Sequence, residues 1–178
     1  MDVQLLLWIQ ENIRTPFLNV FFVAVTTLGN AGMIWIAVSA MLLIPRKTRN
    51  VGIMCFIALG LSFVVNNLIL KNTVARVRPF NACSSLIPLV PKPTDFSFPS
   101  GHSGASFACA TVLYKKLQHR YGIPAVILAA MIALSRLYVG VHYPTDVLAG
   151  ILIGIAAGAA AVKIYSAAEK KKKKKEAA

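Results

Sequence analysis

Two histidines and a carboxylate in this chain lie where long apolar segments begin or end. His102 follows Ser100 and Gly101 at the start of one segment, and His142 precedes Asp146 by four residues at the start of another. Ionisable side chains beside hydrocarbon are costly and mark functional sites by default. One imidazole can attack a phosphorus atom while a second protonates the leaving oxygen, so the pattern predicts phosphate ester chemistry.

The spacing of His142 and Asp146 suits a supported nucleophile. Proline is favoured at the first position of a helix, so Pro144 predicts a helix that starts just after the histidine. Asp146 would then lie in the first turn and reach back to the ring. A carboxylate that holds Nδ1–H leaves a neutral Nε2 facing outwards, as a nucleophile requires. A purely structural cap at a helix start is the alternative interpretation.

An anion site is predicted at the same place. Ser100 can cap a helix that begins at Gly101, and the first amides of that helix would point at a bound anion, with His102 beside it as a proton donor. Three cations are expected at the same end: Lys71, Arg78 and Arg136. Asp146 is the only evident acid there and His142 competes for it, so we expect a phosphate to supply the missing negative charge. A structural salt-bridge network would need more acids.

The segments that carry these residues are apolar enough to cross a membrane. Hydrophobic residues make up 57% of the chain and charged residues 14%, and the mean hydropathy of +0.66 argues against a soluble domain. We predict an all-α integral membrane protein, a six-helix transmembrane bundle with a short interfacial helix over residues 1–14 and an outer-face loop, 79–99, between helices 3 and 4. Spans three to six are predicted at 51–70, 101–117, 123–141 and 144–165.

The first apolar stretch, residues 15–44, is uncharged but broken by Gly29-Asn30-Ala31-Gly32. Each half has about twelve strongly apolar residues, fewer than the ~20 that a simple span requires. We favour two short spans joined by a glycine turn, and one long tilted span is the alternative.

Basic residues in the connections predict the orientation. They occur after span two, after span four and after span six: Arg46, Lys47 and Arg49; Lys115, Lys116 and Arg120; Lys163 and the lysine-rich tail. The positive-inside rule places these connections, and with them both termini, in the cytoplasm of a multi-pass plasma-membrane protein. The reactive groups would then meet at the extracytoplasmic face. The formal charge of +13 is read as membrane orientation and attraction to anionic lipid, not as nucleic-acid binding.

The remaining features are assigned structural roles. Residues 1–168 are predicted to form one membrane-embedded domain and 169–178 a lysine-rich tail. Gly150, Gly154 and Gly158 predict close helix packing inside the bundle in preference to a dimer contact. Cys55, Cys83 and Cys109 lack metal-type spacing and are expected to be small buried hydrophobes. Arg76 is assigned an interfacial role, with a headgroup contact as the alternative, and Asn66 and Asn67 are assigned packing hydrogen bonds.

Three segments together resemble the signature of the type 2 phosphatidic acid phosphatases: Lys71-(six residues)-Arg78-Pro79, Pro99-Ser100-Gly101-His102, and Ser135-Arg136-(five residues)-His142-(three residues)-Asp146. The resemblance covers the whole chain. It implies a membrane phosphatase that needs no metal or other cofactor and works through a phosphohistidine. His142 would be the nucleophile, Asp146 would orient it, and His102 would protonate the leaving oxygen. The phosphoryl oxygens would be held by Lys71, Arg78, Ser100, Gly101 and Arg136.

The same resemblance implies a lipid phosphate as substrate, presented by the bilayer. Small members of the family act on undecaprenyl diphosphate, phosphatidylglycerophosphate or phosphatidic acid, and a polyprenyl diphosphate is our first expectation. The oligomeric state is left open.

Three other activities were weighed against this one. A lipid phosphotransferase would share every motif. A rhomboid-type protease would use Ser103, within Gly101-His102-Ser103-Gly104, and would leave the three cations unexplained. An anion transporter would use the cations but would have no need for a His–Asp pair and a second histidine.

Overall fold

The computed structural model describes residues 2–176, and all regular structure within that range is helical. The helices are α1 Asp2–Asn12, α2 Pro16–Leu28, α3 Met33–Leu43, α4 Arg49–Phe63, α5 Lys71–Val74, α6 Pro79–Ala82, α7 Gly101–Lys116, α8 His119–Tyr138 and α9 Pro144–Glu176. A 3-10 turn, Asn30–Gly32, joins α2 to α3, and a π-helical segment, Val64–Leu70, joins α4 to α5. Helices therefore occupy every region where the sequence predicted a span.

The two ends of the bundle differ in chemistry. At one end, here called the site end, α5 and α8 stop and α7 and α9 start. At the other, the basic end, Asn50 of α4 lies beside Tyr165, Glu169 and Lys173 of α9. Helix α9 continues through the lysine run to Glu176. The division after residue 168 stays a prediction, and residues 177–178 of the tail lie outside the described residues.

Helices α2 and α3 form a bent pair, and each of them is shorter than a full span. Ala31 and Gly32 adopt left-handed backbone angles (φ 50° and 68°), and this break bends the pair by 46°. The 13 and 11 residues correspond to about 20 Å and about 17 Å of helix, so neither alone crosses the ~30 Å hydrocarbon core. The pair begins beside Tyr138 at the site end. Near its other end, Ser39 and Leu43 of α3 lie beside Gly52, close to the start of α4.

The expected six crossings are thus not found. Three helical stretches in residues 2–176 are long and apolar enough to span a bilayer, and the bent pair is a fourth when counted as one span. Helix α7, with 16 residues, is shorter than these stretches and lies within the bundle. Helix α1 sits at the site end and α9 finishes at the basic end, an arrangement that does not support the expected placement of both termini at the basic end. A glycine break reveals that a helix stops but not the angle at which the chain continues.

Helix α7 is the centre of the bundle, packed against α4, α8 and α9. It is weakly apolar because it is surrounded by protein and not by lipid. The predicted glycine stripe explains the closest of these contacts. A Cβ atom built on Gly150, Gly154 or Gly158 would lie 2.5–2.6 Å from the carbonyl oxygens of Ser100, Gly104 and Ala108. The stripe therefore packs α9 against α7, as predicted from the sequence.

The site end is covered by α1 and by the segment that leads from α6 to α7. Leu6 of α1 is buried in a small apolar cluster with Leu86 and Tyr143. Gln10 donates from Nε2 to the carbonyl of Ser85, and Arg14 donates to the carbonyls of Ile87 and Tyr138. A short helix is present where the sequence predicted one, and it packs on the loop that borders the site, while its interfacial position stays a prediction.

Candidate active site

A cavity of about 750 Å³ opens at the site end and extends between the bent pair and α4. Its polar end is lined by most of the residues singled out in the sequence: Lys71, Arg78, Gly101, His102, Arg136 and His142. The other end is apolar, with Ile36, Phe56, Leu59 and Phe63 among its lining residues. Separate stretches of chain therefore contribute to one cavity, and Ser100 and Asp146 lie behind its wall.

His142 and Asp146 meet at the start of α9 as expected. His142 Nδ1 lies 3.5 Å from Asp146 Oδ2, and the two side chains are 2% and 0% exposed. The same oxygen accepts from Ser97 Oγ at 2.5 Å and from the amide of Tyr143 at 2.9 Å. A carboxylate held by several donors keeps its charge and a fixed orientation, so Nε2 of the histidine is left facing the cavity.

Burial keeps the His142 imidazole neutral. The pKa of His142 is lowered to about 4, chiefly by loss of hydration and also by the positive charges of Arg136 and Arg78. The negative charge of Asp146, 3.5 Å from Nδ1, acts in the opposite direction but does not reverse the shift. A neutral ring at physiological pH is the protonation state that a nucleophilic histidine needs.

Arg76 occupies the second oxygen of Asp146, a contact that sequence reasoning missed. Its Nη1 lies 2.7 Å from Asp146 Oδ1, its Nη2 lies 3.3 Å from Asp2 Oδ2, and its guanidinium stacks 3.8 Å over the Tyr143 ring. The role assigned from the sequence, an interfacial cation, is therefore incomplete. The spacing to Arg78 was the available signal, because residues two apart in an extended segment face the same side.

Arg78 is bonded on all sides. Nη1 donates to the carbonyl of Val141 at 2.8 Å and lies 3.4 Å from Nε2 of His142. Nε donates to the carbonyl of Asp95 at 2.8 Å, and Nη2 donates to Asp95 Oδ1 at 2.6 Å. The guanidinium is therefore fixed within reach of any group bonded to the histidine.

Asp95 corrects the expectation that Asp146 is the only acid at this end. Its carboxylate bridges Lys71 and Arg78 and lines the same cavity. Desolvation favours the neutral acid, but the hydrogen bonds from the two cations prevail and lower the pKa of Asp95 to about 2. Asp95 lies in a segment without periodicity, so no sequence pattern indicated which residues its side chain would contact.

Arg136 is the least committed of the three predicted cations. Its Nη1 donates to Thr26 Oγ1 at 2.5 Å, and its buried Nε has no hydrogen-bond partner among the described residues. The side chain is 4% exposed. A buried cation with an unused donor beside a cavity requires an acceptor, and a phosphoryl oxygen would provide one.

The start of α7 brings His102 to the cavity. Ser100 Oγ accepts from the amide and the hydroxyl of Ser103, so its hydroxyl caps the helix and does not face the cavity. The amides of Gly101 and His102 belong to the first turn, which lacks intrahelical acceptors. His102 Nε2 lies 3.1 Å from Asn30 Oδ1 in the break between α2 and α3.

Asn67, to which a packing hydrogen bond was assigned from the sequence, also lies at the candidate site. It lines the cavity, and its Oδ1 has no hydrogen-bond partner within residues 2–176. A Cβ atom on Gly101 would lie 3.0 Å from that oxygen. The close approach favours glycine at the start of α7, where an anion is predicted to bind. The π-helical segment that contains Asn67 is the available signal, since such segments occur often at functional sites.

Two other candidate sites receive no support from the geometry. Ser103 is fully buried and its hydroxyl is bonded to Ser100, away from the cavity, unlike a protease nucleophile. No group of three or more His, Cys, Asp or Glu side chains in the described part of the chain is arranged to hold a metal ion.

Comparisons with known proteins agree on one family. Residues 50–170 match the sequence profile of the PAP2 superfamily. Over 121 residues the chain is 40% identical to an undecaprenyl-diphosphatase of Sulfolobus acidocaldarius, a match that covers 68% of this chain and 58% of that protein. It is 32% identical over 156 residues to phosphatidylglycerophosphatase B of Bacillus subtilis, covering 80% of this chain and 73% of the relative.

Solved structures show the same arrangement. The chain superposes on the crystal structure of Aquifex aeolicus LpxE with a TM-score of 0.78 at 32% identity, covering 91% of this chain and 94% of the other.

Proposed function

The chain belongs to the PAP2 superfamily, and from that premise we propose that it is an integral-membrane phosphatase that hydrolyses a lipid phosphomonoester or diphosphate through a phosphohistidine. The observation that carries the proposal is the contact between His142 and Arg78. Nε2 of a neutral, buried imidazole lies 3.4 Å from a guanidinium, in a cavity that also contains a second histidine. Such a group of side chains suits phosphoryl transfer.

In the first step, Nε2 of His142 attacks phosphorus and a P–N bond forms as the bond to the leaving oxygen breaks. His102 donates a proton to that oxygen, so a neutral alcohol or a phosphate monoester departs. Arg78, Lys71, Arg136 and the amide of Gly101 stabilise the charge on the three equatorial oxygens. Asp146 stabilises the positive ring during the attack by holding Nδ1–H.

In the second step, water attacks the phosphohistidine from the side that the leaving group vacated. His102, now neutral, accepts a proton from that water, and the P–N bond breaks to release inorganic phosphate and restore neutral His142. Each histidine returns to its initial protonation state after one turnover.

The apolar half of the cavity suggests the class of substrate. Residues of α3 and α4 line it, and several of them, such as Phe63 and Ile36, are also exposed on the outside of the bundle. A lipid can keep its tail in the bilayer while its phosphate reaches the histidines from the side. We rank a polyprenyl diphosphate first, followed by phosphatidylglycerophosphate and phosphatidic acid, since relatives carry the first two names.

The orientation follows from charge. The basic end, with Arg49, Lys116 and the lysines of α9, faces the cytoplasm, and the site end faces outwards across the plasma membrane. We propose that the bent pair α2–α3 crosses the membrane once and that α7 crosses it as well, so that α1 lies on the outer side together with the cavity.

The proposal is tested by phosphate release from a panel of pure lipid phosphates in detergent, with mono- and diphosphates of matched tails. The substrate carries a labelled phosphoryl group, which is stable to acid while it is on the lipid. Label that is found on the protein after rapid quenching, is stable in base and labile in acid, and maps to His142 would support the intermediate. His142→Ala should abolish both the label and turnover. Label that passes to a second lipid instead of water would show a phosphotransferase, and saturable anion flux without phosphate release would show a transporter.

A further inference from the structure

The carboxylate of Asp95 is bonded to two donors that a substrate phosphate would need. Oδ1 accepts from Arg78 Nη2 at 2.6 Å and Oδ2 accepts from Lys71 Nζ. The two oxygens of a carboxylate and two oxygens of a phosphoryl group present similar acceptors to such donors. In this structure, the acid on the chain occupies donors within the proposed phosphate site.

The segment that carries Asp95 is built to be held by these bonds and little else. Residues 91–96 form no helix or strand, and the Asp95 side chain is 50% exposed. The carbonyl of Asp95 accepts from Arg78 Nε, so the segment is anchored to the same cation twice. Ser97, two residues after Asp95, is held separately. Its amide donates to the carbonyl of Arg76, and its hydroxyl donates to the carboxylate of Asp146. Residues 91–96 can therefore move without loosening the His142 support.

We propose that Asp95 is an internal competitor that excludes phosphodiester lipids: it binds Lys71 and Arg78 in the substrate-free protein, and only a more highly charged phosphate displaces it. This rests on the proposed function, since it concerns the same site. The bilayer around the cavity is composed largely of lipids whose headgroup phosphate is a diester with one negative charge. Those lipids are the natural decoys for an open cationic cavity.

The selectivity follows from charge and tethering. A tethered carboxylate acts at an effective concentration in the millimolar range, with no loss of translational freedom when it binds. A phosphodiester carries the same single negative charge as the Asp95 carboxylate. Replacing the carboxylate by a phosphodiester on the two cations therefore gains little binding free energy. A phosphomonoester or a terminal diphosphate carries nearly two charges and roughly doubles the Coulomb attraction. Because its pKa is about 2, Asp95 remains ionised at neutral pH and leaves by displacement, not by protonation.

A positioning role is the rival explanation. In that role, Asp95 would stay in place during turnover and orient Lys71 and Arg78 for a phosphate bound on Arg136 and the α7 amides. The two roles predict opposite changes in anion affinity when Asp95 is removed. Removal of a competitor tightens anion binding, whereas removal of a positioning group weakens it.

The test compares wild type with Asp95→Asn, and uses Glu11→Gln as a matched control. Glu11 is an exposed acid of α1 at the site end, outside the cavity, so its loss changes net charge equally. Inorganic phosphate binding is measured by calorimetry at pH 8, and phosphatidylglycerol in mixed micelles is measured as an inhibitor of phosphate release. We expect Asp95→Asn to bind phosphate about tenfold more tightly, the factor of one charge-assisted hydrogen bond, and to become at least as much more sensitive to phosphatidylglycerol.

Unchanged or weaker phosphate binding in Asp95→Asn would overturn the proposal and favour the positioning role. The calorimetry needs no turnover, so it separates this outcome from a failure of the proposed function, in which wild type would release phosphate from none of the lipids.

Discussion

The guanidinium of Arg78 and the imidazole of His142 are 64 residues apart in sequence, yet Nη1 and Nε2 lie 3.4 Å from each other. Arg78 also donates to the carbonyl of Val141, the residue before the histidine. One side chain therefore holds the backbone that carries the nucleophile and faces the atom that would be phosphorylated. A change at Arg78 is expected to affect geometry and charge together.

Arg78→Lys tests this double role. An ammonium group can keep the charge but cannot hold Val141, Asp95 and a phosphoryl oxygen at once. We expect kcat/KM to fall by about 100-fold or more, the combined effect of two or three charge-assisted hydrogen bonds. Arg120→Lys, at the basic end, is the matched control, and it should keep wild-type kinetics. Near-normal turnover in Arg78→Lys would indicate that charge alone is sufficient there.

Arg76→Gln tests the support of the His–Asp pair. The glutamine can still donate to Asp146 but without a positive charge, so the carboxylate loses its ion pair while the phosphate site stays intact. We expect kcat to fall about 10- to 100-fold with little change in KM. Steady-state kinetics on one lipid phosphate give both constants. A rise in KM at constant kcat would instead mean that Arg76 binds the headgroup.

The pH dependence should reveal the lowered pKa of His142. The nucleophile is neutral above its pKa, so a pKa of about 4 keeps it neutral and active at pH values well below about 6.5, where an exposed histidine becomes protonated. Activity attributed to this ring should decline only as the pH falls through about 4. The profile of kcat/KM is measured after correction for the substrate's own second ionisation. An acid limb near 6.5 would show that burial does not control this histidine.

Two glycines provide a paired test of helix packing. A Cβ on Gly154 would lie 2.5 Å from the carbonyl of Gly104, whereas a Cβ on Gly60 would meet nothing within 4 Å. Gly154→Ala should therefore lower stability by about 1–3 kcal/mol, the usual cost of overpacking. Gly60→Ala should be neutral or stabilising by up to about 1 kcal/mol, from helix propensity.

Thermal unfolding in detergent measures both variants under identical conditions. Equal melting temperatures for the two alanine variants would show that α7 and α9 can separate without cost. That result would also remove the explanation given above for the glycine stripe.

Sequence reasoning found the groups whose position is set by a single helix end. His142 and Asp146 are four residues apart across one helix start, and Ser100, Gly101 and His102 open another, so local geometry was sufficient. Arg76 and Asp95 were assigned other roles or none, because their side chains leave irregular segments whose direction depends on tertiary contacts. The angle between α2 and α3 was likewise beyond local rules, since a glycine break permits a reversal as readily as a modest bend.

The bend between α2 and α3 has a practical consequence for how the protein is handled. Under the proposed single crossing of this pair, the number of passes is odd, and we predict that the beginning of α1 and the end of α9 lie in different compartments. Reporter domains fused at these two places should report opposite environments in an intact cell. A protein immobilised through the lysines of α9 should present its open cavity to added lipid, whereas attachment through α1 should obstruct it.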